Sequence, residues 1–326
     1  METLTRHIFH IQSDADFEAS ALRIFRFQYD NNTVYQSYCQ HLNIEKDAVK
    51  SLSDIPFLPI SFFKTHEVTT TSFTPALTFR SSGTTGMQCS QHFIKDALLY
   101  RQSLLNSFQH YYGNPSEYTF LALLPNYLEQ KNSSLIYMME TLMQQSGAKD
   151  NGYFLYNHED LYQKLLQLRA NQQKVILWGV TFALLDFAEH YQIDFPQLIV
   201  FETGGMKGRR KEMVKEELYD ILSKAFGVSD IHSEYGMCEL LSQAYSKGGN
   251  LFTTPPWMRL RLRNEKDPLD GTDTVSTGVI NVIDLANIYS CSFIATEDLG
   301  RRHPQGIEIL GRLDHSQLRG CNLMVI

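Results

Sequence analysis

Three short, continuous apolar runs punctuate the chain: TFLALLP (119–125), KVILWGV (174–180) and QLIVFE (197–202). Runs of this length that do not alternate with polar residues predict strands buried on both faces, as in a parallel sheet. Around and between them, apolar residues recur at helical spacing. Leu98, Leu104, Leu105, Phe108 and Tyr112 form one stripe, Leu135, Met138, Met139, Leu142 and Met143 a second, and Met213, Val214, Leu218, Ile221 and Leu222 a third. Each predicts an amphipathic helix, and the methionines read as core filler rather than ligands. Residues 1–50 read as polar and helical, with Phe17, Leu22, Phe25 and Phe27 docking on the body. SDIPFLPISFFK (53–64) holds two prolines among large apolar residues and is predicted extended and packed. ALTFR (76–80) and QHFI (91–94) read as short strands flanking a polar loop.

The pattern changes near Pro255 and Pro256. TGVINVIDL (277–285), NIYSCSFIA (287–295) and GIEILGR (306–312) predict strands joined by turns, with little helical signal. The expected fold class is α/β. A layered, largely parallel body spans 1–254, opened by a helical segment at 1–52, and a small antiparallel β subdomain spans 255–326.

Composition narrows the function. A chain of 326 residues buries a core without disulfides or a structural metal. Its five cysteines, Cys39, Cys89, Cys238, Cys291 and Cys321, are scattered and form no CxxC pair, which points to a reducing, cytoplasmic setting. The net charge of −7 excludes a general nucleic-acid binder, which needs a basic face. The N-terminus lacks the apolar core of a signal peptide. No apolar run reaches the ~18 residues of a membrane span, so no membrane insertion is expected.

The segment after ALTFR carries the most chemistry. Ser81, Ser82, Gly83, Thr84, Thr85 and Gly86 supply two glycines, where backbone N–H groups approach an anion closely, and four hydroxyls. No Gly-Lys-Ser/Thr follows, so this is not a Walker A loop. Taken alone, the string reads first as a polar turn.

It is not alone. SSGTTG after a strand resembles the phosphate loop of the adenylate-forming superfamily of acyl-CoA synthetases and luciferases. FETGGMKG (201–208), SEYGMCE (233–239), TEDLG (296–300) and GRLDHSQLRGCN (311–322) resemble its adenine, aromatic-Gly-x-x-Glu, ribose and hinge motifs, in the same order. IPFLPISFFK, LLPNYLEQKNSSLIYMM, ETGGMKGRR and the ending RGCNLMVI resemble one branch more closely, the LuxE-type acyl-protein synthetases of bacterial luminescence operons. Phenylacetate-CoA ligases are the next nearest by motif. The resemblance implies an adenylate-forming N-terminal domain that uses ATP and Mg²⁺ to convert a carboxylic acid, fatty or aromatic, to acyl-AMP. It further implies capture of the acyl group on a cysteine and its passage to a partner, an acyl reductase or other acyl-acceptor protein.

By that resemblance, Ser81 to Gly86 wrap the β- and γ-phosphates, Gly204 and Gly205 approach adenine, and Tyr235, beside Gly236, stacks on it. Glu239 holds Mg²⁺, Asp298 takes the ribose hydroxyls, and Arg312 contacts ribose or α-phosphate. Cys321 becomes the acyl acceptor, since a thiolate is a good nucleophile toward a mixed anhydride; Arg319 is placed to favour its thiolate form. On the residues alone, Tyr235 has a core tyrosine as its alternative, and Cys321 reads first as a small buried hydrophobe. Cys238 and Cys89 compete for the acceptor role. Trp178, Gly179, Val180, Thr181 and Phe182 are candidate walls of an acyl pocket, or simply core.

Two departures matter. Met87 stands where many superfamily members carry a cation, leaving Lys207, Arg209 or Arg210 to meet phosphate charge. The sequence also ends at Ile326, just past the hinge motif, so the lid domain with its lysine is expected to be absent. A cysteine acceptor needs no CoA tunnel, which favours the acyl-protein synthetase reading. A CoA ligase whose lid comes from another polypeptide, and a non-catalytic AMP or acyl-adenylate binder, remain as alternatives.

Overall fold

A computed structural model describes residues 2–81, 89–124, 132–204 and 213–313 of the chain. In chain order its strands are β1 Leu58–Pro59, β2 Leu77–Arg80, β3 Gln91–Ile94, β4 Thr119–Leu123, β5 Gly152–Phe154, β6 Val175–Gly179 and β7 Ile199–Glu202. They continue as β8 Ile231–Tyr235, β9 Ala244–Ser246, β10 Leu251–Phe252, β11 Met258–Arg263, β12 Thr277–Asp284, β13 Phe293–His303 and β14 Gly306–Arg312. The helices are α1 Glu2–His7, α2 Asp14–Asn31, α3 Thr33–His41, α4 Phe62–Thr65 and α5 Ala97–Tyr112. They are followed by α6 Ser134–Ser146, α7 His158–Ala170, α8 Thr181–His190 and α9 Lys215–Phe226. The chain is a mixed α/β protein.

The three apolar runs become β4, β6 and β7, neighbours in a sheet of order β5-β4-β6-β7-β8-β9. Its first five strands are parallel and β9 returns antiparallel. Every residue of β4 and β6 is buried, which is why these runs do not alternate. The α5 helix covers one face, where Phe108 meets Phe120 at 5.6 Å and Tyr112 meets Phe201 at 5.2 Å. The α9 helix covers the other, through Tyr219 and Ser233, whose hydroxyls lie 2.7 Å apart.

The second large sheet is antiparallel, of order β10-β14-β13-β12-β11, with β1 added parallel to β13. The N-terminal helices dock on it. Phe25 and Tyr35 pack on Phe293, and Gln28 donates to the carbonyls of Asn287 and Ile288 at 3.0 Å each. The loop strands β2 and β3 pair as a separate hairpin.

Four expectations are corrected. Met213 and Val214 precede α9, which begins at Lys215, and Val214 is 65% exposed. NIYSCS is not a strand: β13 begins at Phe293, and residues 287–292 form turns held by their own buried polar side chains. Residues 62–65 of the proline-rich stretch close into the short α4 rather than staying extended. Leu98 is 76% exposed, because Asp96 caps α5 by accepting from Leu98 N and Leu99 N and turns Leu98 to solvent.

Candidate active site

Tyr235 ends β8, and the segment that joins β8 to β9 carries Gly236 and Glu239 and is clamped from outside. Asn287 Nδ2 donates to the Glu239 carbonyl at 2.8 Å. The buried Asp284 carboxylate accepts from Leu241 N at 2.8 Å, Ser242 N at 2.9 Å and Ser242 Oγ at 2.6 Å. His92 Nδ1 lies 2.8 Å from the Cys238 carbonyl and Nε2 lies 3.1 Å from Asn287 Oδ1. Burial holds this imidazole down to about 4, so the ring is neutral and its one N–H serves the shorter contact, to Cys238.

Glu239, 4% exposed, is thereby fixed at the neck of the 81–90 loop. There Ser81 N–H donates to the Ser90 carbonyl at 3.1 Å and Ser90 N–H donates to Ser81 Oγ at 2.9 Å. The Ser90 hydroxyl in turn bonds Glu239. Burial raises the Glu239 carboxyl, while the Ser90 hydrogen bond and the charges of Arg312 and Lys64 oppose the rise. A buried carboxylate with lone pairs to spare fits a Mg²⁺ ion that draws its other ligands from phosphate and water.

Asp298 and Arg312 face each other as register partners on β13 and β14. Arg312 Nε lies 3.4 Å from Asp298 Oδ1, and the Tyr235 hydroxyl donates to Asp298 Oδ2 at 2.7 Å. Burial raises the Asp298 carboxyl; Tyr235 and Arg312 pull it down. Burial, then the Asp298 charge, pushes the Tyr235 phenol well up, so it remains a donor. The Asp298 side chain is 14% exposed and that of Arg312 is 81% exposed, leaving the guanidinium in solvent at the rim.

Gly204 sits at φ +75°, with no atom of the described residues within 4 Å of where a Cβ would stand. Glycine is needed there for its backbone conformation. Its turn is pinned by Glu202, which is 1% exposed and accepts from Gly204 N at 2.6 Å, from the Thr181 hydroxyl, and from Lys215 Nζ at 2.5 Å.

Of the predicted residues, the structure gathers Tyr235, Asp298 and Arg312 into one contact group. It sets Glu239 against Ser90, the partner of Ser81, in the field of the same Arg312. Ser82, Gly83, Thr84, Thr85, Gly86, Gly205, Lys207 and Cys321 lie outside the described residues, as do Met87, Arg209, Arg210 and Arg319. Trp178 is core: it is fully buried and stacks on Phe201 with centroids 4.0 Å apart. Among the competing thiols, Cys238 is buried and pushed well above its ordinary value by desolvation. Sequence reasoning missed Ser90, His92, Asn287 and Lys64. The one signal for His92 was a histidine on the alternating strand QHFI, directly after the loop.

The sequence profile of the LuxE acyl-protein synthetases matches residues 10–326. The chain belongs to that family. Among solved structures, this LuxE-family chain is similar to 2-hydroxyisobutyryl-CoA ligase in its postadenylation state, with TM-score 0.66 and 13% identity over 93% of this chain and 69% of that one. It is also similar to an ATP-bound RpMatB-BxBclM chimera, with TM-score 0.53 and 16% identity over 72% and 47%. The A-PCP portion of McyG with phenylalanyl-adenylate gives TM-score 0.53 and 15% identity over 73% and 47%. At these identities the likeness establishes the adenylate-forming fold. The LuxE-family chain spans less than half the length of several of these enzymes, 47% in the last two cases. A sequence search of curated proteins finds no match. No helix among the described residues is long and apolar enough to cross a membrane.

Proposed function

We propose that this LuxE-family chain activates a carboxylic acid of the fatty class with Mg·ATP and takes the acyl group onto Cys321 for delivery to a partner protein. A carboxylate oxygen of the acid attacks the α-phosphorus, the bond to the pyrophosphate oxygen breaks, and acyl-AMP and pyrophosphate form. The Cys321 thiolate then attacks the acyl carbonyl, the bond to the AMP phosphate oxygen breaks, and a thioester remains. Glu239 would hold Mg²⁺, which when bound would neutralise charge on the phosphates.

One observation carries the reading. Tyr235 and Asp298, 63 residues apart and on different sheets, meet at 2.7 Å with Arg312 beside them, an arrangement suited to a nucleoside edge. The neck at Ser81 and Ser90, with Glu239 against it, supplies the phosphate end. The elevated, buried Cys238 is a poor nucleophile, which supports the acceptor lying elsewhere. Acid-dependent exchange of labelled pyrophosphate into ATP, without CoA, tests the first half-reaction. Exchange with fatty acids supports the proposal, and a protein that binds AMP yet exchanges with no acid contradicts it.

A further inference from the structure

Glu234, one residue before Tyr235, points to the opposite face of β8 and belongs to a separate polar cluster. Its Oε1 lies over Gly236: a Cβ built there would stand 2.1 Å from Glu234 Oε1 and 3.4 Å from Gln243 Cγ. Its cross-strand partner on β9 is Tyr245. Tyr245 is 1% exposed and Gln243 is 4% exposed, and neither Tyr245 Oη nor Gln243 Oε1 has a hydrogen-bond partner. No donor among the described residues reaches the Glu234 carboxylate either.

Two buried polar atoms left unsatisfied are costly, at about 1–3 kcal/mol each, and beside them the partly exposed Glu234 carboxyl gives an occupant a way in. Their position says which one. Gly236 belongs to the turn that carries Glu239. Tyr100, which lies in the field of Glu234, packs 5.2 Å from Phe79 on the strand that leads into the phosphate loop. The cluster therefore adjoins the proposed nucleotide site through the Gly236 turn and the strand that leads into the phosphate loop.

We infer that the acid carries a hydroxyl on its tail, recognised by Glu234, Gln243 and Tyr245; this rests on the adenylation reading above. Burial raises the Glu234 carboxyl to about 8, so near neutrality it is mostly protonated and offers both a donor and an acceptor. Gln243 Oε1 accepts and Tyr245 Oη does both. A hydroxyl, donor and acceptor at once, satisfies this set. An alkyl tail leaves it unpaired, and an ammonium would require Glu234 to ionise where burial opposes it.

The test is calorimetric binding of non-hydrolysable acyl-sulfamoyl adenosines of one chain length, either plain, hydroxylated at successive carbons, or amino-substituted, with AMP as reference. The expected result is that one hydroxyl position binds about tenfold tighter than the plain chain. Glu234→Leu should cut that preference below about threefold and raise the thermal midpoint, while Glu234→Gln should keep most of it. If AMP binds but plain or amino chains bind as tightly as every hydroxylated one, the inference is overturned and the adenylation reading stands. A fall in the Glu234→Leu midpoint would assign Glu234 to the fold and also overturn the inference. If AMP does not bind, the adenylation reading fails and takes the inference with it.

Discussion

The hydroxyl of Tyr235, on the parallel sheet, donates to Asp298 Oδ2, on the antiparallel sheet, at 2.7 Å. The bond joins the two sheets at the point where the nucleoside is proposed to sit, so stability and binding are coupled there. Tyr235→Phe and Asp298→Asn should each cost about 1–2 kcal/mol in urea unfolding and weaken AMP binding. A double-mutant cycle should return a coupling of about 1 kcal/mol. Additive effects would show that the bond contributes nothing.

Arg312 separates binding from fold. Its pairing with Asp298 is solvent-exposed, and exposed ion pairs stabilise by about 0–1 kcal/mol. Arg312→Ala should therefore leave the unfolding midpoint nearly unchanged and lower the pyrophosphate exchange rate at least about tenfold. Both quantities come from one preparation.

Glu202 and Lys215 make the opposite prediction. Lys215→Met leaves a carboxylate of 1% exposure without its cation, though the Thr181 hydroxyl and Gly204 N–H still donate to it. The loss should be about 2 kcal/mol, toward the low end for breaking a buried pair. AMP affinity should fall as the Gly204 turn loosens, measured by calorimetry at a temperature where the variant is fully folded.

His92 and His232 predict acid sensitivity. Burial lowers both from 6.5 to about 4 in the fold. At these two sites the unfolded chain then binds more protons below about pH 6.5, so their contribution is full above that value and declines as pH falls toward 4, while the raised Glu234 carboxyl contributes in the opposite sense. Between pH 7.5 and 4 the urea midpoint should therefore fall more steeply, or rise less, than that of a His92→Asn, His232→Asn double variant. His92→Asn should flatten part of that slope and leave the share due to His232.

The parallel strands were legible in the sequence because β4 and β6 are buried on both faces and therefore read as unbroken apolar runs. Residues 287–292 misled because their polar side chains turn inward: Asn287 holds the Glu239 carbonyl and Ser290 donates to the Val68 carbonyl at 2.9 Å. Burial alone looks like a strand in one dimension. The site was legible where a motif is local, as in Tyr235, Glu239 and Asp298. Ser90, His92 and Asn287 were not, because their roles arise only when the loop hairpin, the β8–β9 turn and the end of β12 meet. Glu234 was passed over for a related reason. A glutamate beside a motif reads as surface charge until the backbone of Gly236 and the unpaired Tyr245 and Gln243 are placed around it.

The central claim, activation of an acid followed by capture on the enzyme, is tested most directly by the intact mass of the protein after incubation with Mg·ATP and a fatty acid, without CoA, beside Cys321→Ser. The account predicts an added acyl mass that hydroxylamine removes and the Cys321→Ser protein lacks. The same adduct on Cys321→Ser, or no adduct on a protein that exchanges pyrophosphate, would contradict it.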